Sequence, residues 1–549
     1  MHSLIRIAHF ALLLVLFSAD AARTAQPALI FSDRMVLQRD VSVPIWGRAE
    51  PGEQVTVSYA EQSKQTTADA QGLWRAELDA MPASTQPRTM TLQGEGDAVT
   101  LEEVLVGDVW LFSGDIIGLG YYQGRFEKGS RMGIYYDINP FIQQDQAAGR
   151  LPIIRTFVTV PGGRDRHALR PQHRFDTEGN AKWAAYDPAD WSKFHAIPYF
   201  FGREYFKRIK VPVGVIEIGL DDLASMTPPE GFEATADMQD LAKVVHTWDP
   251  ASPTGRTAHL KRLSDLEKWL TSTRRSLDVA GTNLNDFSQV PRMPGPPPGE
   301  VAPTTYYNNT VHPIAPFAVR GLILKTLQQN QYDDRYTGKA EALIRGLRIV
   351  MNSPEAPTAF FQFRPPMYWE EGAVEDQSVW MRFRQMQQGV SKAPTTTVLP
   401  AHDYVSDPRD PRNWAERASR WAIATVENQP IRNGPVYDSH NTDGRVVTVR
   451  FTQVGQGLII GNKQLGEPVK PAADTPLDGF ELAGADGQWR PAVARIDGRH
   501  VIVTSAGVAN PVAVRYAWEP RPKQANLYNR AGFPASPFNI HPWSIAPSR

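Results

Sequence analysis

The 549-residue sequence contains no cysteine. That excludes disulfide staples, thiol nucleophiles and cysteine-based metal sites, and it fits an exported bacterial protein stabilised by core size. An excess of one charge is missing too. Lys+Arg total 58 against 59 Asp+Glu, a net charge of -1, so neither nucleic acid nor an anionic membrane is the expected main partner. Beyond the N-terminus no apolar run approaches a transmembrane length. No internal repeat is visible, no cofactor is called for and no metal site is assigned.

What is present begins at the N-terminus. Arg6 precedes the apolar run "IAHFALLLVLF" (residues 7–17), and small residues follow around Ala19-Asp20-Ala21. A short basic region, an apolar core and an A-x-A-like end read as a secretory signal peptide over residues 1–25. The mature chain is then exported, periplasmic or extracellular, with no integral membrane span after cleavage. A chain this long holds two or three domains.

Residues 39–81 alternate short apolar runs with Glu-Pro-Gly-Glu and Gln-Gly turn signals. That spacing predicts a small β-sandwich over 26–100. The middle, 101–433, mixes buried-strand runs such as "VPVGVIEIGL" and "VRGLILKTL" with helix-length segments at 339–350 and 414–426. Such alternation predicts a largely parallel sheet covered by helices. An insertion at about 223–306 carries the charged helical piece "HLKRLSDLEKWLTSTRRSL" and the proline-rich linker "PRMPGPPPGEVAPTT". From 434 to 549 the pattern returns to strands punctuated by Gly, Asn and Asp. The acids Glu103 and Asp108 read as strand-edge charges. The aromatics Trp110, Tyr121, Tyr122 and Tyr136 read as core.

Several longer phrases carry a family likeness. "LIFSDRMVLQRDVSVPIWGRAEPGEQVTVS", "VLVGDVWLFSG", "VPVGVI", "VHPIAPFAVRGLI", "GFELAGADGQWRPA", "NPVAVRYAW" and "NLYNRAGFPASPF" together resemble the bacterial sialate O-acetylesterase family of secreted SGNH-type carbohydrate esterases. The resemblance runs from about residue 29 to 538 and leaves out the insertion. It implies an α/β fold: a flavodoxin-like SGNH-hydrolase core with a parallel sheet, flanked by N-terminal and C-terminal β-sandwich-like domains. Its chemistry would be deacetylation of sugar hydroxyls, which needs a serine nucleophile, a histidine base and oxyanion donors.

This chain departs from the family pattern at each of those requirements. Where the resemblance places the attacking serine, after Ser113-Gly114, stands Ile116. The Trp-Gly-Gly-Thr block is occupied by Leu220, Asp221, Asp222 and Leu223, and carboxylates have the wrong sign for an oxyanion hole. The Gln-Gly-Glu block is lost, with Leu327 in the glycine's place, and Asn330 alone survives. Asp410 takes the place of the catalytic histidine, a poor acceptor for a serine proton. His402 is the histidine nearby in sequence and reads as a loop residue at a strand end.

Because a triad acts as a unit, the expectation is a catalytically inactive member with no intact catalytic residue. Asp115, Asp221, Asp222 and Asp410, with Asn330, would converge at the C-terminal ends of adjacent strands, where open α/β sheets place ligands. They are the candidates for binding a carbohydrate. The bland alternative is a pocket opened to water and lined by harmless acids. Three sharper ones remain: an esterase whose Ser and His arrive from elsewhere, a carboxylate-based glycoside hydrolase, or a calcium-dependent binding module.

Overall fold

The structure, a computed structural model, describes residues 25–113, 139–149, 151–159, 181–188, 196–277, 302–325, 328–362, 377–403, 411–464, 468–519 and 525–543, with isolated residues 291, 294 and 522. Its centre is a mixed eleven-stranded sheet. Six strands form its parallel part: β1 (Val99–Ser113), β2 (Ile154–Val158), β3 (Val213–Glu217), β4 (Gly321–Leu324), β5 (Thr358–Phe361) and β6 (Thr396–Leu399). They pair in parallel in the order β2-β3-β1-β4-β5-β6, and the short strand Ala184–Ala185 adds antiparallel outside β2.

These strands read as near-continuous apolar runs because both faces are covered. Five helices are named: α1 (Ala196–Ile209), α2 (Leu223–Met226), α3 (Pro253–Leu277), α4 (Tyr336–Val350) and α5 (Pro411–Val426). Side chains alternate between faces along each strand. Trp110, Phe112, Val213, Val215, Ile323 and Phe361 pack with α1 and α5 in one cluster. Val109, Leu111, Ile216, Leu322, Leu324 and Phe360 pack with Tyr336, Leu343 and Leu347 of α4 in the other. Each fully buried Leu, Ile, Val or Phe contributes about 1.5–3 kcal/mol, so the two faces together anchor the sheet. Trp110, a core residue by sequence, is fully buried, with its ring edge-on to Phe201, Tyr205 and Trp421.

The helix-length sequence segments correspond to α4 and α5, each of which starts three residues earlier than its pattern suggests. The apolar runs beginning at Val211 and Val319 contain β3 and β4, both buried throughout.

On the N-terminal side, strands Val43–Arg48 and Leu73–Leu78 form a three-stranded sheet with Gln26–Pro27. Strand Ser84–Gln93 pairs antiparallel with the first half of β1, and Gln54–Tyr59 and then Gln62–Thr67 follow antiparallel beyond it. β1 therefore serves two layers: its first half belongs to the N-terminal β-structure and its second half to the parallel sheet. Gly107 sits where β1 changes partners, between its pairing with Gln38 and the start of its pairing with β3 at Asp108, and a Cβ there would lie 2.1 Å from the Pro212 carbonyl oxygen.

The reading of Asp108 as a strand-edge charge is corrected here. Asp108 is fully buried. It accepts from Arg39 Nε at 2.9 Å, from Arg39 Nη2 at 3.0 Å and from the Tyr205 hydroxyl at 2.7 Å, and Arg320 Nε lies 3.0 Å away. A carboxylate this deep is tolerable because cations and a hydroxyl replace its water. It ties the N-terminal layer, α1 and the entry to β4 together. Glu103 does sit at an exposed edge, paired with Arg34 at 2.7 Å.

After α5 the chain forms two four-stranded antiparallel sheets and a three-stranded one. Val447, Val449, Leu482, Val501, Val503, Val514 and Tyr516 make their shared core. The segment between β3 and β4 includes α3, a 25-residue helix, none of whose residues belongs to a hydrophobic cluster among the described residues.

Candidate active-site crevice

The chain order creates the crevice. From β1 the chain moves outward to β2, returns through β3 on one flank of β1, then crosses to β4 on the other and continues outward to β6. Loops leaving the C-terminal ends of β3 and β4 thus diverge around the end of β1, the position where open α/β sheets hold ligands.

Ser113 ends β1. It is buried, and its hydroxyl is committed twice: Oγ donates to the Lys325 carbonyl at 2.9 Å and accepts from the Lys325 amide at 3.1 Å. The serine thus works as a clip between β1 and the residue after β4. A hydroxyl already donating to a carbonyl has no proton to hand to a base. The Lys325 ammonium lies 4.9 Å from the centre of the Trp414 ring on α5, a cation–π contact across the mouth of the sheet.

The acidic pair follows β3. Asp222 is the N-cap of α2: its Oδ1 accepts from the Ala224 amide at 2.8 Å and the Ser225 amide at 3.4 Å, the ordinary use of an aspartate before a helix. Asp221 Oδ1 accepts from the Asp222 amide at 2.7 Å and from Ser225 Oγ at 2.8 Å. Ser225 Oγ also lies 2.8 Å from the Asp222 carbonyl. Backbone amides that a glycine-rich block would aim at a developing oxyanion are here turned onto carboxylates of the same turn.

Glu217, the last residue of β3, is a buried carboxylate that sequence reasoning missed. Its Oε1 accepts from Thr156 Oγ1 at 2.9 Å. The signal available was a lone acid ending an otherwise apolar strand.

Asn330 is almost fully buried beyond β4, and its Nδ2 has no hydrogen-bond partner among the described residues. Beyond β6 lie His402 and Asp403, both buried. Asp403 Oδ2 accepts from Arg417 Nη2 at 2.7 Å and from the Tyr528 hydroxyl at 3.1 Å. Burial alone would raise this carboxyl, but the Arg417 guanidinium outweighs it and holds the pKa at about 2. His402 is at a strand end as expected, although it is packed inside rather than placed on an open loop.

Asp115, Ile116, Leu327 and Asp410 lie outside the described residues, as do Tyr121, Tyr122 and Tyr136. The convergence of the four aspartates therefore concerns residues of which two are described. Among the described residues no group of three or more His, Asp or Glu side chains is placed to hold a metal ion, and no helix is long and apolar enough to cross a membrane.

The chain is similar over 95% of its length to the whole of a novel carbohydrate acetylesterase from Xanthomonas citri, with a TM-score of 0.68 and 25% identity. The fold is that of a carbohydrate esterase. A protein from Arabidopsis thaliana aligns over 59% of this chain and 98% of its own at 11% identity, with a TM-score of 0.26 that carries no weight. No family model matches the chain, and comparison with curated proteins gave no match.

Proposed function

We propose that this chain is an exported sialate O-acetylesterase-like protein with a flavodoxin-like SGNH core, whose crevice holds a carbohydrate without cleaving an ester. The proposal includes a signal peptide at 1–25, a β-domain at 26–100, the core at 101–433 and a C-terminal β-domain at 434–549. The carbohydrate part of the reading is supported by the likeness to a carbohydrate acetylesterase, and the sialate part by the sequence phrases alone.

The observation that carries the reading is the state of the hydroxyls and amides beside the crevice. Ser113 Oγ is clipped to both backbone groups of Lys325, and Ser225 Oγ is bound to Asp221. The amides of Asp222 and Ala224 are bound by the Asp221 and Asp222 carboxylates. Nucleophile, base and oxyanion donors act together in ester hydrolysis. With Ile116 and Asp410 in the serine and histidine positions, none of these hydroxyls and amides among the described residues is placed to take part in proton abstraction or oxyanion stabilisation. Polar groups such as Asp221 and Asn330 remain suited to sugar hydroxyls.

The test is an assay of the purified mature protein on 4-nitrophenyl acetate and on O-acetylated sialic acid, beside the Ile116→Ser/Asp410→His double variant. The unmodified protein should show no turnover above buffer. Measurable turnover, or an acyl group trapped covalently on the chain, would overturn the proposal.

A further inference from the structure

The long helix α3 has two unlike sides. Ala258, Arg262, Leu266, Trp269 and Thr273 recur once per turn and are half-buried, which marks the side turned toward the rest of the chain. Arg256, Leu260, Leu263, Glu267 and Leu270 are all exposed. Their spacing alternates between four and three residues, so they lie within about 80° of one another around the helix axis. That is the repeat by which one helix packs along another. Leu260 and Leu263 are 58% and 44% exposed, and no hydrophobic cluster among the described residues takes them in.

The charges on this stripe decide what would cover it. Off the stripe, Lys261 and Arg262 share Asp265 at 3.1 and 3.7 Å. Arg256 and Glu267 make no ion pair with a described residue of the helix. Eleven residues separate them, about 16 Å along the axis, so they cannot meet within one helix. Two antiparallel copies bring them together. When Leu260 faces Leu263 of the second copy, moving four residues outward places Arg256 opposite Glu267 of that copy. Two-fold symmetry repeats both contacts, and Leu270 then faces Pro253. Sliding the copies by one heptad, so that Leu260 faces Leu270, would oppose Arg256 to Arg274 and leave Glu267 against leucine. One register therefore satisfies every group, and its rivals are penalised by like charges. A lipid surface fits the stripe less well, because Glu267 in its middle would enter the interface without a partner.

We propose that α3 is a self-association surface, which pairs antiparallel with α3 of a second copy about a two-fold axis between residues 261 and 262. The contact is isologous and closes at a dimer. It spans residues 253–270, about 27 Å of helix. One helix pair buries less than about 1,000 Å², the size of a transient interface. The dimer is therefore reversible, with a dissociation constant on the order of 100 μM. The pairing is independent of the crevice and of any ester chemistry there.

Sedimentation equilibrium of the mature protein, at concentrations about tenfold either side of that constant, tests the surface. The unmodified protein should convert from monomer to dimer with no larger species. Leu263→Glu should weaken association at least about tenfold. Arg256→Glu and Glu267→Arg place like charges opposite each other, so each alone should weaken it to a similar degree. A one-to-one mixture of these two variants restores both opposite-charge contacts and should regain dimers that contain one chain of each kind. The Arg256→Glu/Glu267→Arg double variant should dimerise by itself. Recovery on mixing also shows that both single variants are folded.

A unmodified protein that stays monomeric throughout would overturn the proposal, as would a dimer indifferent to Leu263→Glu. Failure of the mixture to recover would exclude this register. Binding to phosphatidylglycerol vesicles that Leu263→Glu abolishes, without any dimer, would assign the stripe to a membrane surface and overturn the proposal as well.

Discussion

Replacing Asp403 by alanine should loosen the C-terminal β-structure from the core. The Asp403 side chain is 1% exposed, and its Oδ2 bridges Arg417 of α5 and Tyr528 of strand Leu527–Asn529. Arg417 is itself 5% exposed and also donates to the Pro400 carbonyl. Alanine would leave this buried guanidinium without its carboxylate, a change that costs about 3–5 kcal/mol in comparable buried pairs. Asparagine keeps an acceptor and should cost less, about 2 kcal/mol.

The charge contributes in a defined pH window. The Asp403 carboxyl is depressed from 3.8 to about 2, so its contribution is complete above the unfolded value and is lost as pH falls through the folded one. The drop corresponds to about 2 kcal/mol at neutral pH, and about half of that is gone at pH 3. Urea unfolding of the wild type and Asp403→Ala at pH 7 and pH 3 measures both effects. The gap between them should be several kcal/mol at pH 7 and narrower by about 1 kcal/mol at pH 3. A gap below about 1 kcal/mol at pH 7, or one that does not change with pH, would refute the reasoning.

Three further outcomes are expected. Asp108→Ala strips the shared acceptor from Arg39 and Tyr205 and should lower stability by about 3–5 kcal/mol in urea titration; a loss within experimental error would remove the junction from the account. Ser113→Ala breaks the clip to Lys325, costing about 1–3 kcal/mol, while hydrolysis of acetyl esters stays at background. On α3, Leu263 and Leu270 are exposed and belong to no cluster, so Leu263→Glu and Leu270→Glu should each alter stability by no more than about 0.5 kcal/mol, read from thermal melts.

The parallel sheet was legible because β3 and β4 are unbroken apolar runs, a pattern that burial on both faces imposes. The N-terminal strands were legible from alternation and turn residues. The place where one layer ends and the next begins was not. A break near residue 100 looks natural in sequence, yet β1 runs from Val99 to Ser113 without one, and local pattern says nothing about which partners a strand takes along its length.

At the end of β3, Asp221 and Asp222 stand where a substituted block was expected, but the capping role of Asp222 depends on the short α2, too brief to show a helical period. Glu217 and Asp403 escaped notice because an acid in sequence carries no mark of burial. Their partners, Thr156 on β2 and Arg417 on α5, come beside them only in the folded chain. Asp108 was misread for the same reason.

The long strand β1 also has a mechanical meaning. Its first half is stitched to Ser84–Gln93 and its second half to β3 and β4, so one continuous ribbon, bulged at Glu103 where φ is +55°, spans both layers. Pulling on the N-terminal layer loads the backbone that ends at Ser113 directly. Cutting the chain near residue 100 would sever a hydrogen-bonded ladder rather than a linker, and the two layers should therefore melt in one step.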